Sequence, residues 1–357
     1  MTRIVVAMSG GVDSAVSAWL LRERGFDVVG LFLRNGISKP AGLEPSHRQG
    51  CCSLDDSRDA LAVANQLNIP FYVIDYASEF GSIIDSFVTS YKKGETPNPC
   101  VLCNRDLKFG SLLNFARSLG AGAVATGHYA RIEGEGVTRR LRRGSHREKD
   151  QSYVLAAMEP ASLASSMFPV GDLTKTEVRE IAKNAGLRVF NKRESQEICF
   201  VPSNNYRDLL TSRGVAGTPG KIVNTSGGVL GEHGGFEHFT IGQRKGIGVA
   251  HTEALYVKSI DPRTATVTVA TKDEIGTNWI ESSRATWFAA PLEVNETREY
   301  LIQVRAHHEP VPGRICNING RVRAEFNDPE SAIAPGQLAV FYDGEYVAGS
   351  AWIERAG

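Results

Sequence analysis

The stretch RIVVAMSGGVDSAVSAWLL, residues 3–21, constrains this chain more than any other. A β-branched apolar run ends at Met8, Ser9-Gly10-Gly11 forms a turn, and three- and four-residue apolar spacing begins at Val12. That is a strand, a glycine turn and a helix. The two glycines let the backbone turn sharply and come close to an anion. The helix start adds N–H donors and the positive end of a dipole, and Ser9 and Ser14 add hydroxyls. Ala7, Met8, Ser9, Gly10, Gly11, Val12, Asp13 and Ser14 are therefore a candidate phosphate cradle. Asp13 suits a phosphate only if a cation such as Mg²⁺ stands between them. The alternative is an ordinary strand–helix turn with a Ser/Asp cap. No Gly-Lys-Ser/Thr follows, so this is not a Walker A loop, and it does not match the dinucleotide pattern G-x-G-x-x-G.

The same alternation continues for two hundred residues. RIVVAM, DVVGLFL, FYVIDY and AVATGH read as buried parallel strands. VDSAVSAWLLRERG, SLDDSRDALAVANQLN and NRDLKFGSLLNFARSLG read as helices, with Gly25 and Gly120 ending the first and last. Such repetition predicts an α/β fold with a doubly wound parallel sheet. Beyond about residue 208 glycine becomes dense, and short strands broken by turns follow (ALYVKSI, TATVTVA, REYLIQVR, RVRAEF, QLAVFYDG, EYVAGSAWIE). A chain of 357 residues exceeds one core. The expected division is 1–208, an α/β domain; 209–278, a small glycine-rich central β domain; and 279–357, a C-terminal β-barrel.

Six cysteines (51, 52, 100, 103, 199 and 316) are too few for a disulfide scaffold at this length. TPNPCVLCNRD sets Cys100 and Cys103 three residues apart, a spacing open to a zinc corner, a redox pair, an iron–sulfur half-site or a nucleophile with a neighbour. If CNRDLKFGSLLNFA is a helix opened by Cys103, its dipole and amides favour a thiolate there. The start of the chain lacks the apolar stretch and cleavage site of a leader, and no apolar run approaches the ~20 residues of a membrane span, which predicts a cytoplasmic protein without a membrane partner. Net charge is zero, with 40 basic and 40 acidic residues, so a polyanion must be met by a local patch. RRLRRGSHREKDQ, with five arginines and a lysine within 139–149, is such a patch or else a solvated hairpin. GQRKGIG (242–248) is a second basic loop.

The Ser-Gly-Gly-x-Asp-Ser turn resembles the pyrophosphate loop of AMP-forming ATP pyrophosphatases, whose sheets are of the adenine nucleotide α-hydrolase type. TPNPCVLCNRDLKFG, ATGHYARI, KDQSYVL, FPVGDLTKTEVREIA, ESQEICFVP, HFTIGQRKGIGV and PGQLAVFYDG, in that order, resemble the tRNA-specific 2-thiouridylases over essentially the whole chain. The resemblance implies ATP-dependent sulfuration of C2 of the wobble uridine in lysine, glutamate and glutamine tRNAs. It also implies a persulfide-donor protein as partner. By the rule that ligands lie off the carboxyl ends of the strands, Leu33 and Gly127 fall beside the nucleotide. A core leucine and a turn glycine are the alternatives for these two.

The resemblance further implies that Cys199 carries a persulfide and that Cys103 resolves it, leaving a Cys103–Cys199 disulfide or releasing hydrosulfide. Cys100 departs from the family, many of whose members have Asp there with an acid–base role. Three thiolates, Cys100, Cys103 and Cys199, would also suit a [4Fe–4S] cluster, and no other metal site is expected. RNA contacts carried over are Asn98, Pro99, Cys100, His128, Lys149, Asp150, Gln151, Arg305 and Gln337. Ala306 follows Arg305 where an aromatic is common, and a core histidine is the alternative at His128.

Overall fold

The computed structural model describes residues 1–36, 54–193, 198–201 and 205–357, so Cys51 and Cys52 lie outside the described residues. The chain divides into two units. The first holds Met1–Ile84, Pro99–Asn204 and Glu345–Val347; the second holds Asp85–Asn98, Asn205–Gly344 and Ala348–Gly357.

In the first unit β1 (Arg3–Ala7) runs parallel to β2 (Asp27–Arg34), with Ile4 opposite Val28. Both are buried through their centres, as continuous β-branched runs in a covered parallel sheet should be. On its other side β1 pairs with β4 (Ala123–Ala125), and β3 (Phe71–Asp75) and β7 (Ser166–Met167) complete the order β3-β2-β1-β4-β7. Strand order thus reverses at β1. The crevice off its carboxyl end is where such sheets take ligands, and the Ser-Gly-Gly turn stands there. Helices α1 (Val12–Glu23) and α2 (Leu54–Leu67) fall where the apolar spacing predicts, and Gly25 leaves α1 at φ +79°. Val6, Val16, Phe32, Val63, Val124 and Val178 are all fully or almost fully buried.

Three expectations change. FYVIDY reads as a buried strand, but β3 is the sheet edge, with Tyr72 and Val73 54% and 50% exposed. A helix over Ala77–Lys92 (α3) was not indicated by the spacing considered above. The helix carrying Cys103 begins a turn earlier than Cys103. It runs over residues 99–118 (α4) as Pro99–Leu102, Cys103–Ser111 and Leu112–Ser118. Proline suits a first helical position, where its missing N–H is an orphan anyway and its φ is already set. Cys103 therefore stands one turn inside, and Cys100 holds the position near the helix start. The middle of α4 is wound wide, the Leu112 N–H reaching back five residues to Leu107 O. Such windings are rare and often functional.

After β4 come the hairpin β5 (Ala130–Glu133) and β6 (Arg140–Arg143), then α5 (Lys175–Asn184), capped by Thr174 and Glu177. The second unit has two β cores. A four-stranded sheet of β8 (Gly220–Val223), β9 (Val229–His233), β10 (Tyr256–Asp261) and β11 (Thr266–Ala270) encloses Ile222, Val257 and Val267. The later strands β12 (Thr277–Ser282), β14 (Thr297–Gln303), β15 (Val311–Ile318), β16 (Arg321–Glu330) and β17 (Leu338–Asp343) pair antiparallel around Ile302, Ile315, Ala339 and Phe341, with β13 (Ala285–Trp287) alongside β18 (Tyr346–Trp352). No helix among the described residues is long and apolar enough to cross a membrane.

Candidate active site

The turn after β1 is tied into a fixed shape. The Met8 N–H donates to Leu31 O, which carries the chain straight out of the sheet beyond Ala7. Gly10 has φ +72°, and a Cβ there would stand 2.2 Å from the Asp56 carbonyl oxygen, so glycine is required on both counts. Gly11 precedes α1 in extended conformation with no side-chain cap, which leaves the first amides of the helix for a ligand. The Ser9 N–H donates to Ser14 Oγ (3.1 Å), and Ser14 Oγ donates to Gly11 O (3.1 Å). Val12 is buried beneath the turn. Gly127, two residues past β4, packs so closely that an added Cβ would lie 2.6 Å from Ser14 N. Leu33 is buried in β2 opposite Ile74.

Two lysines that the sequence reading left without a role complete this loop. Lys175, first residue of α5, sends Nζ to both Asp13 oxygens at 2.7 and 2.9 Å, and the Tyr129 hydroxyl donates to Asp13 Oδ1 at 2.8 Å. Lys192 Nζ donates to Gly10 O (3.1 Å) and Asp56 Oδ1 (2.7 Å), and also to Asp59 Oδ2. Burial disfavours the charged Lys192, but the hydrogen bonds it donates to Asp56 and Asp59 outweigh it and raise its pKa. Lys175 and Tyr129 sit in FPVGDLTKTEVREIA and ATGHYARI. The available signal was a lysine at the first turn of a helix that must pack against α1.

Cys100 is exposed, and Cys103 and Cys199 are half-buried, all three within the first unit. Among the described residues no three His, Cys, Asp or Glu side chains are gathered closely enough to hold a metal ion. The three thiols are thus not assembled as ligands of a cluster. Beside Cys103, Asn104 is buried and donates to Val154 O at 3.0 Å, while its Oδ1 has no partner among the described residues.

The candidate RNA residues divide sharply. His128 lies buried between the rings of Phe109 and Phe168 and shares a 2.7 Å hydrogen bond with Thr126 Oγ1. Burial, and secondarily Lys108, pushes its pKa well below the ordinary imidazole value. These are the surroundings of a core histidine. Asp150 accepts from Arg143 Nε, the Gly144 N–H, the Ser152 N–H and the Ser152 hydroxyl, which uses its carboxylate inside the fold. Gln151 pairs with the Tyr129 backbone in both directions, and Lys149 is partly exposed in the turn before them.

The arginine run is likewise engaged. Arg142 binds Glu133 and Glu345, Arg147 binds Glu345, and Arg139 donates to the carbonyls of Leu163 and Ala164. Arg140 lies 3.9 Å from the Tyr346 ring centre. The Tyr346 hydroxyl, then Arg142, holds the Glu133 carboxyl below its ordinary pKa.

Pro99 is buried at the start of α4. In the second unit Asn98 donates to Gln337 Oε1 (3.2 Å), and Gln337 donates in turn to the carbonyls of Thr96 and Pro97. The Arg305–Ala306 turn is held by buried Gln303, which donates to both carbonyls, while Arg305 Nε is buried without a partner among the described residues.

The chain matches the family model described as tRNA methyl transferase HUP domain over residues 2–203. It matches the tRNA methyl transferase PRC-barrel domain over 208–271 and the aminomethyltransferase beta-barrel domain over 277–353. It is 47% identical over 360 residues to the tRNA-specific 2-thiouridylase MnmA of Geobacter metallireducens, covering 99% of this chain and 97% of that protein. The protein of the same name from Geotalea uraniireducens is 45% identical over 99% of this chain and 95% of its own. That of Rhodopirellula baltica is 42% identical over 100% of this chain and 97% of its own.

Proposed function

This chain belongs to the tRNA-specific 2-thiouridylase family, and from that premise we propose that it sulfurates C2 of the wobble uridine in lysine, glutamate and glutamine tRNAs, consuming ATP and releasing AMP and pyrophosphate. The observation that carries the proposal is the intact phosphate loop in the same unit as Cys103 and Cys199.

Uracil C2 is a urea-like carbonyl whose oxygen leaves badly. Attack of that oxygen on the α-phosphate expels pyrophosphate and turns the oxygen into part of a good leaving group, AMP. The loop supports this step through the Gly10 and Gly11 backbone, the uncapped amides of α1 and the hydroxyls of Ser9 and Ser14. The residues also fit Mg²⁺, because Asp13 offers a carboxylate at the helix start. The metal when bound would screen phosphate charge there. Leu33 and Gly127 flank the same crevice.

Sulfur arrives as a persulfide on Cys199, loaded by a donor protein. Attack of the Cys103 thiolate on Cys199 Sγ breaks the S–S bond, joins the two cysteines and frees hydrosulfide. Hydrosulfide adds to C2 and AMP departs with the oxygen. The Cys103–Cys199 disulfide then needs a two-electron reduction by a thiol before the next turnover. The thiols do not fit a [4Fe–4S] cluster as they stand, so no step runs through one.

The wobble base must leave its stack to reach these groups. Asn98, Pro99, Cys100, Lys149, Arg305 and Gln337 are proposed to meet the RNA. His128, Asp150 and Gln151, the other contacts that the resemblance carries over, are engaged within the first unit by the hydrogen bonds described above.

Radiolabelled sulfur from a cysteine desulfurase tests the roles of the cysteines. Label should load Cys103→Ser and fail to load Cys199→Ser, and neither variant should form 2-thiouridine. Loading of Cys199→Ser would overturn the persulfide assignment.

A further inference from the structure

The second basic loop, GQRKGIG (242–248), has no role in the site described above, and its cations differ from those of the arginine hairpin. Arg244 and Lys245 are exposed, and neither side chain has an ion pair or a hydrogen bond among the described residues. In the hairpin, Arg139, Arg142, Arg143 and Arg147 all hold protein acceptors. An exposed cation without a protein partner carries water and small counterions. It can exchange them for a phosphate without breaking any contact inside the fold.

The backbone beneath these two side chains is fixed. The Gly242 N–H donates to Val257 O at 2.8 Å and the Val257 N–H to Gln243 O at 2.9 Å, which ties the loop to β10. The Gln243 side chain accepts from the Thr240 N–H at 3.0 Å and donates to Lys245 O at 2.9 Å, bridging the turn. Ile247 is buried with Val257 and Val267. Arg244 and Lys245 thus stand between two anchored residues, and only their side chains must order when a ligand arrives. Gly246 and Gly248, at φ +72° and +84°, are exposed, and their N–H groups have no partner among the described residues. Such amides add to an anion site. With Arg244, His251 and Glu253 they line an open hollow of about 270 Å³. The Glu253 N–H donates to His251 Nδ1 at 3.2 Å, which leaves Nε2 as the ring's donor. Among the described residues the Glu253 carboxylate forms no ion pair with either cation.

The loop is also placed within the second unit. An added Cβ at Gly242 would lie 2.5 Å from the Ala332 Cβ, so the two segments touch. Ala332 begins the stretch that leads to Gln337, which bonds Asn98 and the carbonyls of Thr96 and Pro97. Chain reach through that contact keeps Arg244 within roughly 30 Å of Gln337, a span that several nucleotides of RNA backbone cover. Resting on the thiouridylase reading above, we propose that Arg244 and Lys245, with the Gly246 and Gly248 amides, bind the phosphate backbone of the tRNA outside its wobble base. Contacts of this kind fix the position of the RNA and do not read its sequence.

Binding of unmodified tRNA to the full chain, measured over a range of salt concentrations, tests this. Arg244→Gln with Lys245→Gln should weaken binding about tenfold at physiological salt. The slope of log affinity against log salt should become shallower by roughly 0.7–0.9 per cation. Arg244→Lys with Lys245→Arg conserves charge and should keep the wild-type slope. In the Gln pair the KM for tRNA should rise while ATP affinity and the rate at saturating tRNA stay as in wild type. Unchanged tRNA affinity and slope in the Gln pair would overturn the inference. Equal weakening in the charge-conserving pair would overturn it too, because the residues would then act through the fold. If the Gln pair binds tRNA normally but loads less labelled sulfur from the desulfurase, the loop docks the donor protein and the RNA assignment falls. Failure of wild type to bind tRNA at any salt concentration would overturn the thiouridylase reading itself.

Discussion

The phosphate loop and the arginine hairpin both gather cations within the first unit, yet the described partners of those cations differ. The hairpin has the denser charge in sequence, but Glu133, Glu345, Asp150 and a set of carbonyls already occupy Arg139, Arg142, Arg143 and Arg147. The loop has no basic residue of its own and borrows two lysines from 162 and 182 positions away. One borrowed lysine fixes the backbone through Gly10 O, and the other rests on a partially exposed carboxylate. What separates the two regions is the partners their cations hold, and local charge density does not report those.

Removing Lys192 should have the largest effect and would break the comparison if it did not. Lys192→Met leaves Asp56, whose side chain is 5% exposed, without its cation beside a loop carbonyl that also loses its donor. Breaking a buried pair costs about 3–5 kcal/mol; with Lys192 and Asp59 partly in solvent, about 2–3 kcal/mol is expected here. The urea midpoint should fall and ATP affinity with it. The folded Lys192 pKa is raised, so its contribution is fully present below the ordinary lysine value and is lost as pH rises through the higher folded one. An unchanged midpoint would mean that the loop holds its shape without the lysine.

The hairpin should answer differently. Arg142→Gln with Arg147→Gln should lower stability by about 1 kcal/mol, since these pairs are partly exposed. The slope of log affinity for tRNA against log salt should stay as in wild type, because neither arginine is available to release counterions from phosphate. A slope shallower by roughly 0.7–0.9 per arginine with stability unchanged would instead support the phosphate-tracking role.

The α/β sheet was legible because its strands are continuous apolar runs and its glycines sit where only glycine fits. The positive φ of Gly10 is a local demand that a Ser-Gly-Gly turn displays, whereas the approach of Gly10 to the Asp56 carbonyl and of Gly127 to the start of α1 is set by packing. The loop itself was legible for the same reason. Lys175 and Lys192 were not, because a lysine's partner is set by packing between elements far apart in the chain. Edge strand β3 was misread since FYVIDY is as β-branched and aromatic as a central strand, and only strand order exposes it. The start of α4 was misplaced because the apolar spacing was counted from Cys103, whereas the helix opens at Pro99.

His128 gives the sharpest view of the boundary between core and surface. It follows Gly127 at the edge of the phosphate crevice, yet its ring is buried against Phe109 and Phe168. Burial, then Lys108, holds its pKa well below that of a solvated imidazole, so the folded ring is neutral. The unfolded chain binds a proton at the ordinary value. Stability is therefore unaffected above that value and falls as pH drops below it, until the folded pKa is reached. The slope is at most about 1.4 kcal/mol per pH unit. Gln at this position can still bond Thr126 but does not titrate. His128→Gln should cost about 1 kcal/mol at pH 7.5, and its stability should fall about 1–2 kcal/mol less than wild type between pH 7.5 and 5. Urea unfolding of both chains at the two pH values measures that difference directly. Parallel pH profiles would mean that His128 takes up its proton while folded, as a ring facing RNA phosphates would.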